Sequence, residues 1–370
     1  MRRALSHFPW PGMAQRVVDR YFISGGKSPD KAFKSVPMFA QHSRRELLEL
    51  TVVANFVEVF LAKEDHDGPV GINLLQKIEV PTLPSLFGAM LAGVAYVIMG
   101  AGIPQEIPGA LDALSVGEDA KIKYSVAGAT AEDDFRLSFD PRELAEGPMP
   151  ELVRPQFLAI VSSVTLAKSL VKRSTGKLNG FIIEGPTAGG HNAPPRGKLE
   201  LDAAGEPVYG PRDAVDLAGI AALGLPFWLA GSHAYPGVLQ DALDQGANGV
   251  QVGTSFAMCR ETGLDPVIRQ QMLEGLERGE IHVRTDPIAS PTGFPFKVVE
   301  QVPGSLADQD NYEARRRVCD LGYLRTGYKK EDGSLGQRCA SEPVKQFVQK
   351  GGSEEAAEGR KCLCNALMAN

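Results

Sequence analysis

Along the chain, short runs of consecutive apolar residues alternate with stretches whose apolar positions recur every three to four residues. The runs are "VPMF" (36–39), "FVEVFLA" (56–62), "PVGINLL" (69–75) and "YVIMGAG" (96–102). They continue with "FLAIVSS" (157–163), "GFIIEGP" (180–186), "PFWLAGS" (226–232) and "GVQVGT" (249–254). Near-continuous apolarity over so few residues suits a strand covered on both faces. Between the runs, "VTLAKSLVKRS" and "YPGVLQDALDQGA" carry helical period. Strand and helix in repeated alternation predict α/β architecture, a parallel sheet with right-handed crossovers. Eight such strands predict closure into a (β/α)8 barrel, the TIM barrel. The uncharged stretch 86–103 is long enough to raise the question of a membrane span. Its four glycines and its natural division into a helix (86–94) and a buried strand (95–102) assign it to the core.

One segment departs from the alternation. "KIKYSVAGATAEDDFRLSFD" (121–140) alternates apolar and polar residues on both sides of a small acidic turn, which predicts an inserted β-hairpin at about 121–141. Were "KIKYSVAG" a barrel strand instead, the first run would drop out and the count would survive by a shift. "DPVIRQQMLEGLERGE" (265–280) reads as the last barrel helix. The expected organisation is an N-terminal arm (1–34), the barrel (35–283) and a C-terminal cap (284–370).

Composition narrows the function classes. The 370 residues are 43% hydrophobic and 23% charged, ordinary for a soluble globular protein. Lys+Arg number 39 against 45 Asp+Glu, a net charge of -6, which offers nothing to a nucleic acid or an anionic membrane surface. The start, "MRRALSHFPWPGM", has two arginines but no apolar core of a signal peptide, so a cytoplasmic protein is expected. Cys259 stands alone, while Cys319, Cys339, Cys362 and Cys364 lie in the last quarter without paired C-x-x-C spacing. Reduced thiols and no metal site are the expectation.

A barrel places chemistry on the loops after its strands. The late runs end in "EGPTAGGH", "LAGSH" and "QVGTS", each delivering glycine and two of them a hydroxyl, Ser232 and Thr254. Glycines with free backbone N–H groups at adjacent strand ends suit a phosphate cradle; ordinary turn glycines are the alternative. Taken alone, a histidine after two glycines is an ordinary feature of surface turns.

"AGGH" (188–191) after such a strand, together with "PFWLAGSHAYPGVLQDALDQGANGVQVGT" (226–254), resembles the nitronate monooxygenase family, formerly the 2-nitropropane dioxygenases. The flavin-dependent enoyl reductases of fatty-acid synthesis share its barrel and motifs. The likeness extends over about 153–266, back to "GPVGINLL" (68–75), and into the cap at "SPTGFPFKVV" (290–299). It implies an FMN enzyme acting on a small molecule. The expected activity is oxidation of an alkyl nitronate with O2; the alternatives are an enoyl-thioester reductase using NAD(P)H and a non-catalytic flavin-binding subunit. By motif position Asn73 and Glu184 would lie near the flavin ring. Gly189, Gly190, Gly231, Ser232, Gln251, Gly253 and Thr254 would complete the cofactor site, and His191 would be the catalytic histidine. At its ordinary pKa near ~6.5, that imidazole would exchange its proton close to neutrality. A homo-oligomer is compatible with the family.

The chain departs from the family at three places. Thr187 replaces a common glutamate before Ala-Gly-Gly-His, Gly231-Ser232-His233 replaces Gly-Gly-Ile, and Glu184 replaces a usual glutamine. His233 is expected to face solvent, and Glu184 to bring negative charge toward the ring unless protonated or paired. The connection 191–217 is long for a β–α loop. Within it Arg196, Lys198, Tyr209 and Arg212 are candidates to hold an anionic substrate, with a solvated surface loop as the alternative. Trp228 reads as packing within its strand.

Overall fold

The computed structural model describes residues 1–28, 30–31, 34–300, 302 and 305–364. Parts of the expected arm and cap, at 29, 32–33, 301, 303–304 and 365–370, lie outside the described residues. The chain divides into two compact units. The first comprises 1–159, 170–179 and 320–337; the second comprises 160–169, 180–319 and 338–370.

Six parallel strands follow one another in chain order, as the alternation predicts. Gly71–Leu75, Tyr96–Gly100 and Gln156–Val161 come first. Gly180–Glu184, Phe227–Ala230 and Gly249–Gln251 follow. The parallel set among the described residues therefore has six members, not eight. The two earliest runs are the difference. Residues 56–62 are the last turns of an 18-residue helix, Arg45–Ala62, and 36–39 belong to no strand. "FVEVFLA" reads as a strand only inside its own short window. Seen with the residues before it, Leu47, Val52, Val53, Phe56, Val57 and Val59 form the buried side of a helix. Pro37, lacking an N–H, weakens any pairing of 36–39.

Helix Arg45–Ala62 packs on Thr82–Leu91, nine of whose ten residues are buried. The helices meet so closely that a Cβ on Gly88 would run into the Val52 carbonyl. Phe87 stacks on Trp10 (6.0 Å between ring centroids) and lies 5.6 Å from Phe139, completing the apolar centre of the first unit. The hairpin is present: Ala120–Lys123 pairs antiparallel with Arg136–Phe139 and is no part of the parallel set.

In the second unit, Phe181, Ile182 and Ile183 are buried in their strand, and Asn248 Oδ1 accepts the Phe227 N–H at the foot of the next (3.1 Å). Helix Pro266–Glu277 starts where expected; Asp265 caps it by accepting from the N–H groups of Val267 and Ile268 (2.8 and 3.1 Å). Beyond it, Val283–Asp286 pairs antiparallel with Phe296–Val299.

Candidate functional site

Three strands of the second unit end level with one another. Glu184 pairs with Ala230, and Ala230 with Gln251. The chain after Glu184 turns at once, the Ala188 N–H donating to Gly185 O (3.1 Å), and reaches Gly190 at φ +72°. Gly231, at φ +98°, closes against this turn: a Cβ there would lie 2.7 Å from Ala188 N and 2.9 Å from Thr187 Oγ1. Its lack of a side chain serves loop-on-loop packing. At Gly189, Gly190 and Gly253 an added Cβ would meet nothing within 4 Å. Ser232 is exposed and sits in the left-handed region (φ +56°); exposed Thr254 opens a four-residue helix. Asn73 lies exposed on its strand in the first unit.

The residues after the glycines are annexed by the strand Phe296–Val299. His191 bridges to Phe296, the Lys297 N–H donates to Gly190 O (2.9 Å), and the Asn192 N–H donates to Pro295 O (3.1 Å). This fixes the His191 ring edge-on to Phe296, 4.8 Å between centroids, and brings Nε2 to 2.6 Å from Ser290 Oγ. Ser290 is fully buried and shares a second hydrogen bond with Thr292 Oγ1 (2.7 Å). Burial pushes the His191 pKa down to about 4. The imidazole is therefore neutral at physiological pH, well below the range in which the sequence placed its titration.

Glu184 moves the other way. Burial raises its pKa to about 7, and the positive charge of Lys297 only partly offsets this. Lys297 is itself held by burial below the usual lysine range. Its Nζ donates to Pro186 O (2.7 Å) and to Thr285 Oγ1, clamping the turn from the far side.

These geometries fall largely within one recognisable stretch. Residues 154–286 match the nitronate monooxygenase family. The likeness read from "AGGH" and "GVQVGT" thus stands. A probable nitronate monooxygenase from Bacillus subtilis (strain 168) is 30% identical over 159 residues, 43% of this chain and 42% of that protein. The chain therefore spans under half the length of the curated relative it matches. Among solved structures, a mutant of FabK from Thermotoga maritima is 17% identical, covering 81% of this chain and 85% of its own, with a TM-score of 0.39.

The matched segment contains every predicted site residue of the second unit, but not Ser290, Phe296 or Lys297. Those three were missed as site residues, although "SPTGFPFKVV" carries all of them. The segment also holds buried polar atoms with no hydrogen-bond partner among the described residues; Glu184 Oε1, Asn192 Oδ1, His233 Nδ1 and Gln251 Oε1 belong to predicted site residues or their immediate neighbours, while Ser174 Oγ and Arg284 Nε do not. His233 is half-buried, not turned to solvent as expected, because its Nδ1 is covered. Trp228 packs as expected; a Cβ on Gly249 would lie 2.9 Å from its ring.

The long loop of the segment splits its candidates. Arg196 and Tyr209 line a pocket with Ser162, Glu184, Pro186 and Asp213. Lys198 and Arg212 are exposed and do not line it. Asn192, 2% exposed, donates to the Tyr209 hydroxyl (2.7 Å) and holds the loop to the histidine. Among the described residues no three His, Cys, Asp or Glu side chains are grouped to hold a metal, and no helix is long and apolar enough to cross a membrane.

Proposed function

We propose that the protein is an FMN-dependent oxidoreductase that oxidises alkyl nitronates with O2. The observation that carries this reading is a neutral, rigidly held His191 beside glycines open to a ligand, inside the segment matching the nitronate monooxygenase family. The residues present fit the cofactor. The empty space at Gly189, Gly190 and Gly253 suits close approach of a ligand, and the unpartnered Gln251 Oε1 supplies a polar contact. Glu184 would meet the ring; Ser232, Gln251, Gly253 and Thr254 would hold the ribityl phosphate. Bound FMN would supply the electron transfer.

What the chain itself contributes is proton control. The Nε2 of His191 is engaged with Ser290 Oγ, so Nδ1 is the atom left for substrate. With Ser290 donating to Nε2, Nδ1 carries the hydrogen and can donate it to an anionic oxygen. A pKa of about 4 makes this imidazole a weak base. It therefore suits a nitronate, already deprotonated, better than a neutral nitroalkane whose α-proton must be removed. The same donor would suit the carbonyl of an enoyl thioester, so the electron source has to be tested directly.

The test is an anaerobic titration of the FMN-loaded protein, following the flavin's long-wavelength absorbance. Bleaching by a nitronate but not by NADH or NADPH supports the proposal. Rapid bleaching by a nicotinamide alone moves the assignment to an enoyl reductase. Bound flavin that responds to neither marks a flavin-binding subunit, and failure to bind FMN at all removes the reading.

A further inference from the structure

Glu184 is half-buried with its Oε1 fully covered, and it lacks the partners that normally accompany a covered carboxyl oxygen. Its Oε1 has no hydrogen bond, and among the described residues it forms no ion pair. The groups facing it are already committed. Lys297 donates its ammonium to Pro186 O and Thr285 Oγ1, and it feels the charges of both Glu206 and Glu184 without an ion pair to either among the described residues. The Tyr209 hydroxyl donates to Ala193 O (3.0 Å) and accepts from Asn192 Nδ2 (2.7 Å). Asp213 uses Oδ1 on the Arg196 N–H (2.7 Å) and Oδ2 on the Gly210 N–H (2.8 Å). Arg196 donates through Nη2 to Ser162 O (2.8 Å), which leaves the other guanidinium N–H groups without a bond among the described residues. Two things in the pocket remain for a ligand: spare Arg196 donors and the Glu184 carboxyl.

We infer that this pocket binds a small planar oxyanion, of the carboxylate or nitronate type, and that the anion enters together with a proton carried by Glu184. One ligand oxygen accepts from the Arg196 guanidinium, and the other accepts the O–H of the protonated carboxyl. The balance is simple: ionised Glu184, one solvent proton and one anion become a neutral carboxyl hydrogen-bonded to the anion. An ionised Glu184 would repel the ligand across a low-dielectric wall, so the proton is the condition of entry. This gives Glu184 a task besides cofactor contact, and glutamine at the same position would have no proton to take up. Equating the anion with the nitronate substrate rests on the proposed reaction; the anion site does not.

Acetate is a sufficient probe, and no turnover is needed. Calorimetric titration of the FMN-loaded protein in buffers of different ionisation heat reads the protons taken up per acetate bound. Uptake should be near zero at about pH 6, where the probe is ionised and Glu184 still protonated, and approach about one proton above pH 8, with affinity falling about tenfold per pH unit there. That measurement needs no variant. Glu184→Gln should bind acetate with no proton uptake and no pH dependence, and Arg196→Ala should lose about tenfold or more in affinity. Absence of acetate binding, or wild-type binding without proton uptake, would overturn the inference. So would a Glu184→Gln protein that still takes up the proton. An acetate site in a protein whose flavin ignores nitronate would leave the inference standing and remove the reaction.

Discussion

Glu49 and Glu184 are both glutamates withdrawn from water, one in each unit, and their surroundings treat them in opposite ways. Glu49 is 3% exposed at the centre of the first unit's helices. Burial alone would raise its pKa, but hydrogen bonds from Arg16 (2.7 Å) and Arg45 (2.8 Å) outweigh it and hold the carboxylate below its usual range. Glu184 has no such pair and is left near neutrality. Unpartnered buried polar atoms occur in both units, Trp10 Nε1 and Tyr21 OH among those of the first, so the contrast is one between carboxylates and their surroundings. The Glu79 carboxylate, also buried in the first unit, accepts from the Ser125 hydroxyl (2.6 Å) and N–H (3.0 Å). In the second unit Asn192, His233 and Gln251 keep buried polar atoms unmatched. Satisfied burial holds a fold together. Unsatisfied burial is a cost that persists when a ligand offsets it.

Substitutions on the two sides should therefore fail differently. Phe87→Ala removes a fully buried ring between Trp10 and Phe139 and should cost about 3–5 kcal/mol of stability, read by denaturant unfolding. Any activity that survives should be unchanged per folded molecule. His191→Ala should do the reverse: a loss on the order of 10²–10³ in kcat/KM with nitronate, at nearly unchanged FMN affinity. Equal activity in that variant would remove the histidine from the chemistry.

Glu184→Gln tests the contrast through pH. The folded pKa of about 7 lies above the ordinary 4.5, so the folded state binds more protons between those values. Stability from Glu184 is complete below about pH 4.5 and is lost as pH rises through 7. His191 has the opposite sign: its folded pKa of about 4 lies below 6.5, so its contribution is present above 6.5 and lost as pH falls toward 4. In the wild type the two slopes oppose each other between about pH 4.5 and 6.5. In Glu184→Gln only the histidine slope remains. The variant should gain about 2–3 kcal/mol on the wild type between pH 4.5 and 8, measured on the cofactor-free protein. A parallel pair of stability curves would show that Glu184 does not titrate in this window.

How much of this was legible in the sequence follows from the range of the forces involved. The six parallel strands were readable because each is a short apolar run bounded by its own glycines and prolines, and the hairpin because its alternation is local. The run at 56–62 misled for the same reason, since seven residues fit either period and only the preceding eleven decide. "AGGH" marked the position of the site. The charge states of His191 and Glu184 could not be read there, because burial sets them, and the groups packed on His191, Ser290 and Phe296, lie about a hundred residues further along. Desolvation is a property of what covers a group, and the cover comes from another part of the chain.

Ser290 gives the smallest and most discriminating test of that dependence. It is fully buried, and its hydroxyl meets His191 Nε2, Thr292 Oγ1 and the Thr292 N–H (3.2 Å). Ser290→Ala removes all three and leaves Nε2 without its partner, so a stability loss of about 1–2 kcal/mol is expected. A purely structural serine would stop there. If it sets which ring nitrogen of His191 carries the hydrogen, turnover of nitronate should also fall about five- to tenfold with KM unchanged, because the interaction lost is one made at the transition state. The two effects separate at a temperature where both proteins are fully folded: a turnover deficit that persists there belongs to the histidine, and one that vanishes belongs to the fold.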